Sequence, residues 1–483
     1  MAFGVYAGID QGTTTSRVLT INEQGQYKIA HSCGHKQITP RAGWVEHDPE
    51  ELIRNLKECI DKAGNIDALG IDNQGESVVA WDSETGEAVY NVIVWQDART
   101  QDEIIKLKEK GYEELVQERC GLPLDPYFSA SKLAWIIKNV PRAKKLLDRG
   151  RLMLGTTDTF FIYRLCGVYV TDYNTASRTS LLNLKTLQWD EDLCRIFEVP
   201  IEVLPPIKDC IGIFGYTKNS QGLEIPVSAS LVDQFACIYG HGCRKAGDAK
   251  ITFGTGAFME SLSGHEIPQS KSGLLSVLAW KFPNEKPMFG LDGGVYNAAS
   301  AVNWAKKLGL FNSYNDINTF DKEYAICRDL MFIPALSGLS CPYWDRSAAA
   351  LWVGMGLETD NKDMMQSLIE GVALRANTVL RAMSEVCDLG KSLSIDGGMS
   401  SNPYFMQFLA DITQKEIKVP SCSEVSAYGT AILARRGIGL EGDIELSGEP
   451  TIYKPHPLNT QELMVKFEQA IARCRGLRLI KAE

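Results

Sequence analysis

Residues 5–21, VYAGIDQGTTTSRVLTI, hold two short apolar runs on either side of a turn rich in glycine and threonine. The runs, Val5 to Ile9 and Arg17 to Ile21, predict the two strands of a hairpin. A further turn at Asn22 to Gly25 follows directly, so this opening predicts a β-meander and not a β-α-β unit. The polar turn between the strands is the first candidate for a ligand-binding loop.

The same pattern returns near the middle of the chain. Residues 249–262, AKITFGTGAFMESL, predict a strand, a Gly-Thr-Gly turn and a second strand. We therefore expect two related halves, each opening on a hairpin. We place the boundary near residue 242, with an N-terminal domain of residues 1–242 and a C-terminal domain of residues 243–483.

Helical patterns occupy the stretches between the hairpins. Asp48 is a candidate N-cap because Pro49 follows it at the first helical position. Strands alternating with helices over both halves predict an α/β protein whose sheets are covered by helices. The last helix is expected to pack back across the join between the halves. The expected helices are Pro49 to Ala63, Glu103 to Leu115, Asp363 to Glu385 and Gln461 to Arg475.

Composition excludes several classes of function. The net charge of -10 disfavours a nucleic acid or an anionic membrane as partner, because nothing basic would offset their phosphates. The 13 cysteines are scattered and include no C-x-x-C pair, which fits a reducing compartment better than a disulfide framework. No stretch approaches the roughly 20 apolar residues that span a bilayer. We expect a cytoplasmic protein.

Two glycine-containing turns could surround phosphate groups. Residues Asp10 to Thr15 offer backbone N–H groups and hydroxyls, and Asp10 could hold Mg²⁺ through water. The alternative is an ordinary hairpin turn with a threonine-rich edge. The second turn, Gly254 to Gly256, favours the phosphate interpretation because two such turns would face each other across a cleft. A third segment, Ser394 to Met399, contains two glycines that would let the backbone approach a flat ligand such as adenine.

Known nucleotide fingerprints do not apply. The chain lacks G-x-x-x-x-G-K-[ST], and its G-x-G-x-x-G match, Gly437 to Gly442, follows a helical pattern and not a strand.

Asp233 is the candidate general base. Together with Gln234 it follows the small and apolar run Val227 to Val232, which would place its carboxylate at a strand end. A kinase acting on an alcohol needs a base for the hydroxyl proton, an effect of about 10²–10⁴ in rate. The alternative for an aspartate at a strand end is the N-cap of the next helix.

Three further segments offer groups suited to a polyol. Residues 73–76 (NQGE), 94–97 (VWQD) and 125–128 (DPYF) supply carboxylate, amide, indole and phenol groups. Hydrogen-bond acceptors for hydroxyls next to an aromatic surface for a carbon chain would recognise a polyol. Trp95 and Phe128 could equally be core residues.

Several longer segments together resemble one family. The sequence is similar over essentially its whole length to the FGGY carbohydrate kinases, and most to their glycerol-phosphorylating members. That resemblance implies two actin-like (ribonuclease H-like) domains, as in the sugar kinase, heat-shock chaperone and actin superfamily, with the active site in the interdomain cleft. The matching segments are residues 8–14 (GIDQGTT), 43–49 (GWVEHDP), 92–96 (VIVWQ), 125–129 (DPYFS), 170–173 (VTDY), 176–179 (ASRT), 342–345 (PYWD), and the two signature regions 127–139 and 350–370.

The resemblance also implies roles for individual residues. Asp233 would be the catalytic base, and Asp10 and Asp233 would place Mg²⁺. Ala299 and Asn303 stand where related kinases tend to have Gly and Gln, so the match is looser there. A homo-oligomer is expected from the resemblance alone. The ATP site would comprise Thr13, Thr14, Thr15, Arg17, Thr255, Ala299, Asn303, Gly398 and Asn402. The polyol site would comprise Glu76, Trp95, Tyr127, Asp233, Gln234 and Phe258.

One departure bears on the acceptor. Related glycerol-specific kinases carry Arg-Glu where this chain has Gly75-Glu76. Glycine removes a charged donor, worth about 1.5–3 kcal/mol, and is expected to leave the space of a side chain. The leading hypothesis is ATP-dependent phosphorylation of glycerol to glycerol 3-phosphate. A longer polyol (erythritol, threitol, ribitol or xylitol) or a ketose is the alternative acceptor. A non-catalytic, actin-like nucleotide switch is the alternative of a different class.

Overall fold

The computed structural model describes residues 3–270 and 273–478. The strands are β1 (Val5–Gln11), β2 (Thr15–Asn22), β3 (Tyr27–Gly34), β4 (Glu46–His47), β5 (Ala68–Asn73), β6 (Val78–Asp82), β7 (Val92–Ile93), β8 (Leu152–Thr156), β9 (Thr171–Asp172), β10 (Leu182–Asn183), β11 (Gln188–Trp189), β12 (Ile207–Lys208), β13 (Ile211–Lys218), β14 (Glu224–Val232), β15 (Ala249–Phe253), β16 (Ala257–Gly264), β17 (Leu275–Trp280), β18 (Met288–Val295), β19 (Met331–Ile333), β20 (Leu351–Val353), β21 (Ser392–Asp396), β22 (Glu416–Val419) and β23 (Thr451–Tyr453).

The α-helices are α1 (Pro49–Ala63), α2 (Gln101–Glu109), α3 (Glu113–Cys120), α4 (Ser129–Asn139), α5 (Pro141–Asp148), α6 (Thr157–Cys166), α7 (Tyr173–Ser177), α8 (Glu191–Phe197), α9 (Asp233–Gly240), α10 (Ala299–Lys307), α11 (Asn361–Ser384), α12 (Pro403–Thr413), α13 (Val425–Gly437) and α14 (Thr460–Cys474). Among the described residues no helix combines the length and the apolar character needed to cross a membrane.

Two large mixed sheets are built on the same plan. The first has the strand order β13-β14-β5-β1-β2-β3, and the second has the order β17-β18-β16-β15-β21-β22-β23. In the first, β1 pairs antiparallel with β2 and parallel with β5. In the second, β15 pairs antiparallel with β16 and parallel with β21. The prediction of two related α/β halves, each opening on a hairpin, is confirmed. The strands of the first sheet all precede residue 242, and those of the second all follow it.

Two helices join the halves at close range. Helix α13 comes from the second half of the chain but packs on β1, β5 and β14 of the first sheet and on α9. Glycines permit this approach, because a Cβ on Gly8 would lie 2.0 Å from the carbonyl oxygen of Ala427 and one on Gly429 would lie 2.0 Å from that of Ala236. The backbone of α13 therefore lies in direct contact with the backbones of β1 and α9, and α9 packs closely against α13 just after the end of β14.

The predicted helices are mostly confirmed. Asp48 caps α1, with its Oδ1 accepting the N–H of Glu50 at 2.9 Å. The expected helix from residue 103 to 115 is wrong: α2 and α3 are separated at Gly111, whose φ of 79° is unfavourable for residues with a side chain. The expectation for the last helix is also wrong, because the buried side chains of α14, such as Phe467, join the core of the second half.

Candidate active site

Asp233 is the first residue of α9, at the point where β14 ends. The N-cap position belongs to Val232, so the alternative that Asp233 is the N-cap is wrong. The Asp233 Oδ1 atom accepts the N–H of Gln234 at 2.7 Å. Burial, together with the nearby carboxylate of Asp10, raises the pKa of Asp233 to about 7. A carboxylate that titrates near neutral pH is suited to general-base chemistry.

Asp72 is a third carboxylate in the same region, and the sequence analysis missed it. Asp10 on β1 and Asp72 on β5 are direct neighbours in the parallel strand register. Thr430 of α13 donates a hydrogen bond of 2.5 Å to Asp72 Oδ2, while Asp72 Oδ1 is buried without a partner among the described residues. Burial raises the pKa of both carboxyl groups, and the nearby carboxylates of Asp10 and Asp233 raise that of Asp72 further. The sequence feature that could have indicated Asp72 is its position as a carboxylate inside the apolar run of β5.

The residues present fit a magnesium ion. Mg²⁺ prefers oxygen ligands and is usually held by one or two carboxylates together with phosphate oxygens. Asp10 and Asp233 supply carboxylates that form no ion pair with any described residue, and the unpaired oxygen of Asp72 lies beside Asp10. Like charges buried together are costly unless a cation compensates them.

The first predicted phosphate turn is a closed hairpin turn that contacts a predicted polyol residue. The Gly12 N–H donates to the Thr15 carbonyl at 2.9 Å. The Trp95 indole N–H donates to the Thr13 hydroxyl at 3.0 Å, which links a predicted ATP residue to a predicted polyol residue. Arg17 lies opposite Asp10 across β1 and β2 and forms an ion pair with Glu424, which directly precedes α13. Thr14 continues the turn, and its carbonyl accepts the His35 N–H at 3.1 Å.

The second turn and the start of α10 are brought together. The N–H of Ala299 donates to the Gly254 carbonyl at 3.0 Å, and the Thr255 carbonyl accepts the N–H groups of Ala298 and Ser300 at 3.0 and 3.1 Å. Asn303, one turn further along α10, is exposed and accepts a 2.7 Å hydrogen bond from the Tyr314 hydroxyl.

The glycine pair after β21 lies beside the same turn. A Cβ on Gly397 would lie 2.4 Å from the carbonyl oxygen of Phe253, the residue before Gly254. The segment after β21 can therefore approach the end of β15 only because residue 397 has no side chain. Gly398 begins the next turn, and Asn402 caps α12 while its amide donates to the Ile317 carbonyl at 2.8 Å.

The residues of the predicted polyol site come from both halves of the chain. The Trp95 ring lies 5.5 Å from the Tyr127 ring and 6.4 Å from the Phe258 ring, measured between centroids, in edge-to-face geometry. Gln234 of α9 accepts a 2.5 Å hydrogen bond from Lys250 of β15, and Lys250 forms a buried ion pair of 2.8 Å with Glu260. Residues of the two halves therefore contact each other at the predicted polyol residues.

Arg178 forms the centre of a buried charge network that no prediction included. Its Nε donates to Glu76 Oε1 at 2.5 Å, and its Nη1 lies 2.9 Å from Asp292 Oδ2 of β18. Glu76 holds a φ of 62°, a strained value that is typical of functional sites. The available signal was a single arginine in the otherwise uncharged stretch 173–184.

The space expected beside Gly75 is filled. A Cβ on Gly75 would lie 2.9 Å from Val232 Cγ1 and 3.2 Å from Val232 Cγ2. The expectation of an empty side-chain volume is therefore wrong, because the residue before Asp233 occupies it.

Lys132 fixes the loop that carries Tyr127. Its ammonium group donates to the carbonyl oxygens of Pro126, Tyr127 and Phe128 at 2.9, 2.5 and 3.0 Å. Burial lowers the pKa of Lys132 to about 7, although the nearby carboxylate of Glu76 opposes this shift. Lys132 is thus a positioning residue for the Tyr127 ring.

The family profiles of carbohydrate kinases match both halves of the chain. The N-terminal domain of the FGGY family matches residues 5–240, and its C-terminal domain matches residues 249–438. The chain belongs to the FGGY family of carbohydrate kinases. Among its relatives, glycerol kinase 2 of Thermotoga maritima is 36% identical, with 97% of this chain and 98% of that protein covered. The glycerol kinase of Vibrio cholerae is 38% identical, with 93% and 92% covered.

Solved structures of FGGY kinases share the fold. The crystal structure of Plasmodium falciparum glycerol kinase with ADP superposes with a TM-score of 0.91 at 31% identity and covers 97% of this chain and 98% of that one. Xylulose kinase from Lactobacillus acidophilus superposes with a TM-score of 0.86 at 24% identity, with 98% and 99% covered, which shows the fold alone.

Proposed function

We propose that this FGGY kinase transfers the γ-phosphoryl group of ATP to a primary hydroxyl of glycerol, giving glycerol 3-phosphate. The observation that carries the proposal is the position of Asp233, a half-buried carboxyl group of pKa about 7 that lies near Asp10 and Glu76 of the first half and Lys250 of the second. It lies at the start of α9, beside the amide of Gln234 and near the carboxylates of Glu76 and Asp10. The relatives with 35–38% identity over most of this chain are glycerol kinases.

Different residues of the site have different roles in phosphoryl transfer. Asp233 accepts the hydroxyl proton as the acceptor oxygen attacks, and Glu76 and Gln234 accept or donate hydrogen bonds to the remaining hydroxyls. Trp95 and Phe258 contact the carbon chain. Backbone N–H groups of the turns at Thr13 and Thr255 bind phosphate oxygens. Asp10 and Asp233 would hold Mg²⁺, which would supply positive charge to the phosphoryl oxygens.

The Arg178 network favours glycerol over a longer acceptor. Arg178, in the segment 176–179 shared with the family, contacts Glu76, so a charged donor lies next to this carboxylate although Gly75 supplies none. Val232 fills the volume beside Gly75 into which a longer acceptor was expected to extend. The nucleotide-switch alternative gives no reason for the buried acceptor-side cluster of Glu76, Arg178 and Trp95.

An acceptor panel tests the choice of substrate. ADP release with Mg-ATP is measured against glycerol, erythritol, threitol, ribitol, xylitol and ketoses. We expect glycerol to have the highest kcat/KM, by about tenfold or more, which corresponds to about 1.4 kcal/mol. A longer polyol that exceeds glycerol tenfold would contradict the glycerol assignment but not the kinase assignment.

A variant pair tests the role of Val232. Val232→Ala should reduce the preference for glycerol over erythritol by about tenfold, because methylene-sized changes in a pocket alter discrimination by about 1–3 kcal/mol. Val227→Ala, in the same strand, serves as the matched control and should leave the preference unchanged. An equal preference in both variants and the wild type would show that Val232 does not limit the acceptor site.

The pH dependence follows from the pKa of Asp233. A general base acts only when ionised, so log kcat/KM should rise with a slope of about 1 below pH 7 and level off above it. The pH is varied at limiting glycerol and saturating Mg-ATP. A profile that is flat between pH 5.5 and 8.5 would contradict an Asp233 base with a pKa of about 7.

A further inference from the structure

Helix α9 and the end of β21 bring together three metal-ligating side chains that the phosphoryl transfer does not use. Cys237 lies one turn after Asp233 on α9, and His241 directly follows the helix, four residues later and on the same face. The Cys237 Sγ atom lies 2.8 Å from Asp396 Oδ2, and the His241 Nε2 atom lies 2.6 Å from the same oxygen. The three ligand atoms all lie within 4.8 Å of one another.

This cluster is buried and tightly packed. Cys237 is 3% exposed, and the side chains of His241 and Asp396 are 2% and 8% exposed. Sulfur is larger than nitrogen, yet the distance from Sγ to Oδ2 falls within the range of N–H···O hydrogen bonds, about 2.7–3.2 Å. Burial raises the pKa of the Cys237 thiol well above its ordinary value, which disfavours a reactive, oxidation-sensing cysteine. A strong Lewis acid would be required to deprotonate it.

We propose that Cys237, His241 and Asp396 bind a divalent transition metal of the Zn²⁺ class. Thiolate, imidazole and carboxylate are the protein ligands of Zn²⁺, whereas Mg²⁺ takes oxygen ligands only. Zinc bond lengths place tetrahedral ligand atoms about 3.4–3.6 Å apart, so Cys237 and His241 need to move from Asp396 by less than about 1 Å. Water completes the fourth position.

The charges balance on binding. The Cys237 thiol gives its proton to solvent, and the resulting thiolate and the Asp396 carboxylate neutralise the dication. Lys250 and Glu260, which face the cluster from β15 and β16, already form an ion pair with each other at 2.8 Å. The site joins the helix that begins at Asp233 to the strand that leads into the nucleotide segment at Gly397, and it is separate from the Mg²⁺ carboxylates.

Cobalt titration of the chelator-stripped full chain tests this proposal. Co²⁺ replaces Zn²⁺ and gives a thiolate-to-metal charge-transfer band that reports a sulfur ligand directly, independently of activity. We expect this band in the wild type and its loss in Cys237→Ala. His241→Gln keeps the thiol, and it should weaken Co²⁺ binding by more than about 100-fold, because even outer-shell partners of a metal ligand are worth 10–100-fold.

Two control variants make the result specific. Cys243→Ala removes a buried thiol just beyond α9 and should keep the band at full intensity. Cys33→Ala addresses the second cluster of ligand type, His31, Cys33 and Glu58, which is partly exposed. The proposal would be overturned if the wild type showed no band. It would also be overturned if the band were lost in Cys33→Ala but kept in Cys237→Ala, or if His241→Gln bound Co²⁺ with unchanged affinity.

Discussion

Replacing Asp233 by asparagine is expected to lower kcat by about 10²–10⁴-fold, the contribution of a positioned general base. Asparagine has nearly the same shape and keeps an oxygen that can accept the N–H of Gln234 at the start of α9. It cannot take the hydroxyl proton. ATP binding should survive, because the predicted nucleotide contacts, such as Thr13, Thr255 and Gly398, do not include the Asp233 carboxyl group. Steady-state kinetics and calorimetric titration of a non-hydrolysable ATP analogue measure the two effects separately.

The matched control is Asp209→Asn, which removes a partly exposed carboxylate that pairs with Lys281 at 3.0 Å. This control should retain wild-type kcat and nucleotide affinity. Normal turnover in Asp233→Asn would remove Asp233 from the mechanism. Loss of nucleotide affinity together with turnover would instead show that Asp233 acts mainly through structure or metal binding and not as the base.

Replacing Arg178 by leucine is expected to lower the free energy of unfolding by about 3–5 kcal/mol at pH 7.5, the usual cost of removing one partner from a buried ion pair. Glu76 and Asp292 would both lose their guanidinium partner in a region that is closed to water. Burial already raises the pKa of Glu76. The deficit should therefore shrink as the pH falls, because protonation neutralises this carboxyl group. Urea denaturation at several pH values measures the change.

Arg142→Leu is the control, since its pair with Glu87 is exposed on both sides at 48% and 68%. Exposed pairs contribute about 0–1 kcal/mol, so this variant should unfold almost like the wild type at every pH. Equal destabilisation of the two variants would mean that Arg178 does not compensate a buried carboxylate. Any Arg178→Leu protein that folds should also show a raised KM for glycerol.

Local sequence patterns predicted the features that depend on local interactions. The two hairpins follow from apolar runs around glycine-threonine turns, and the cap of α1 follows from Asp48 and Pro49. Asp233 at the end of β14 also followed from the run before it. These features depend on neighbouring residues in the chain, where steric limits and hydrogen-bond requirements act directly.

The missed features depend on contacts between distant parts of the chain. Arg178 meets Asp292 more than 100 residues later, and Asp72 meets Thr430 across 358 residues. Val232 fills the volume beside Gly75 from another strand. A sequence pattern gives no information on such pairs, so the acceptor site was predicted residue by residue but not as a charge network. The break at Gly111 was missed because the apolar periodicity continues on both sides of it.

Phosphate transfer to glycerol itself tests the central claim most directly. The purified chain is incubated with Mg²⁺, γ-labelled ATP and glycerol, and the labelled products are separated. The account predicts labelled glycerol 3-phosphate formed in equal amount to ADP, with little labelled inorganic phosphate. Label appearing only as inorganic phosphate, at a rate that glycerol and every other polyol leave unchanged, would contradict it and would favour a nucleotide switch.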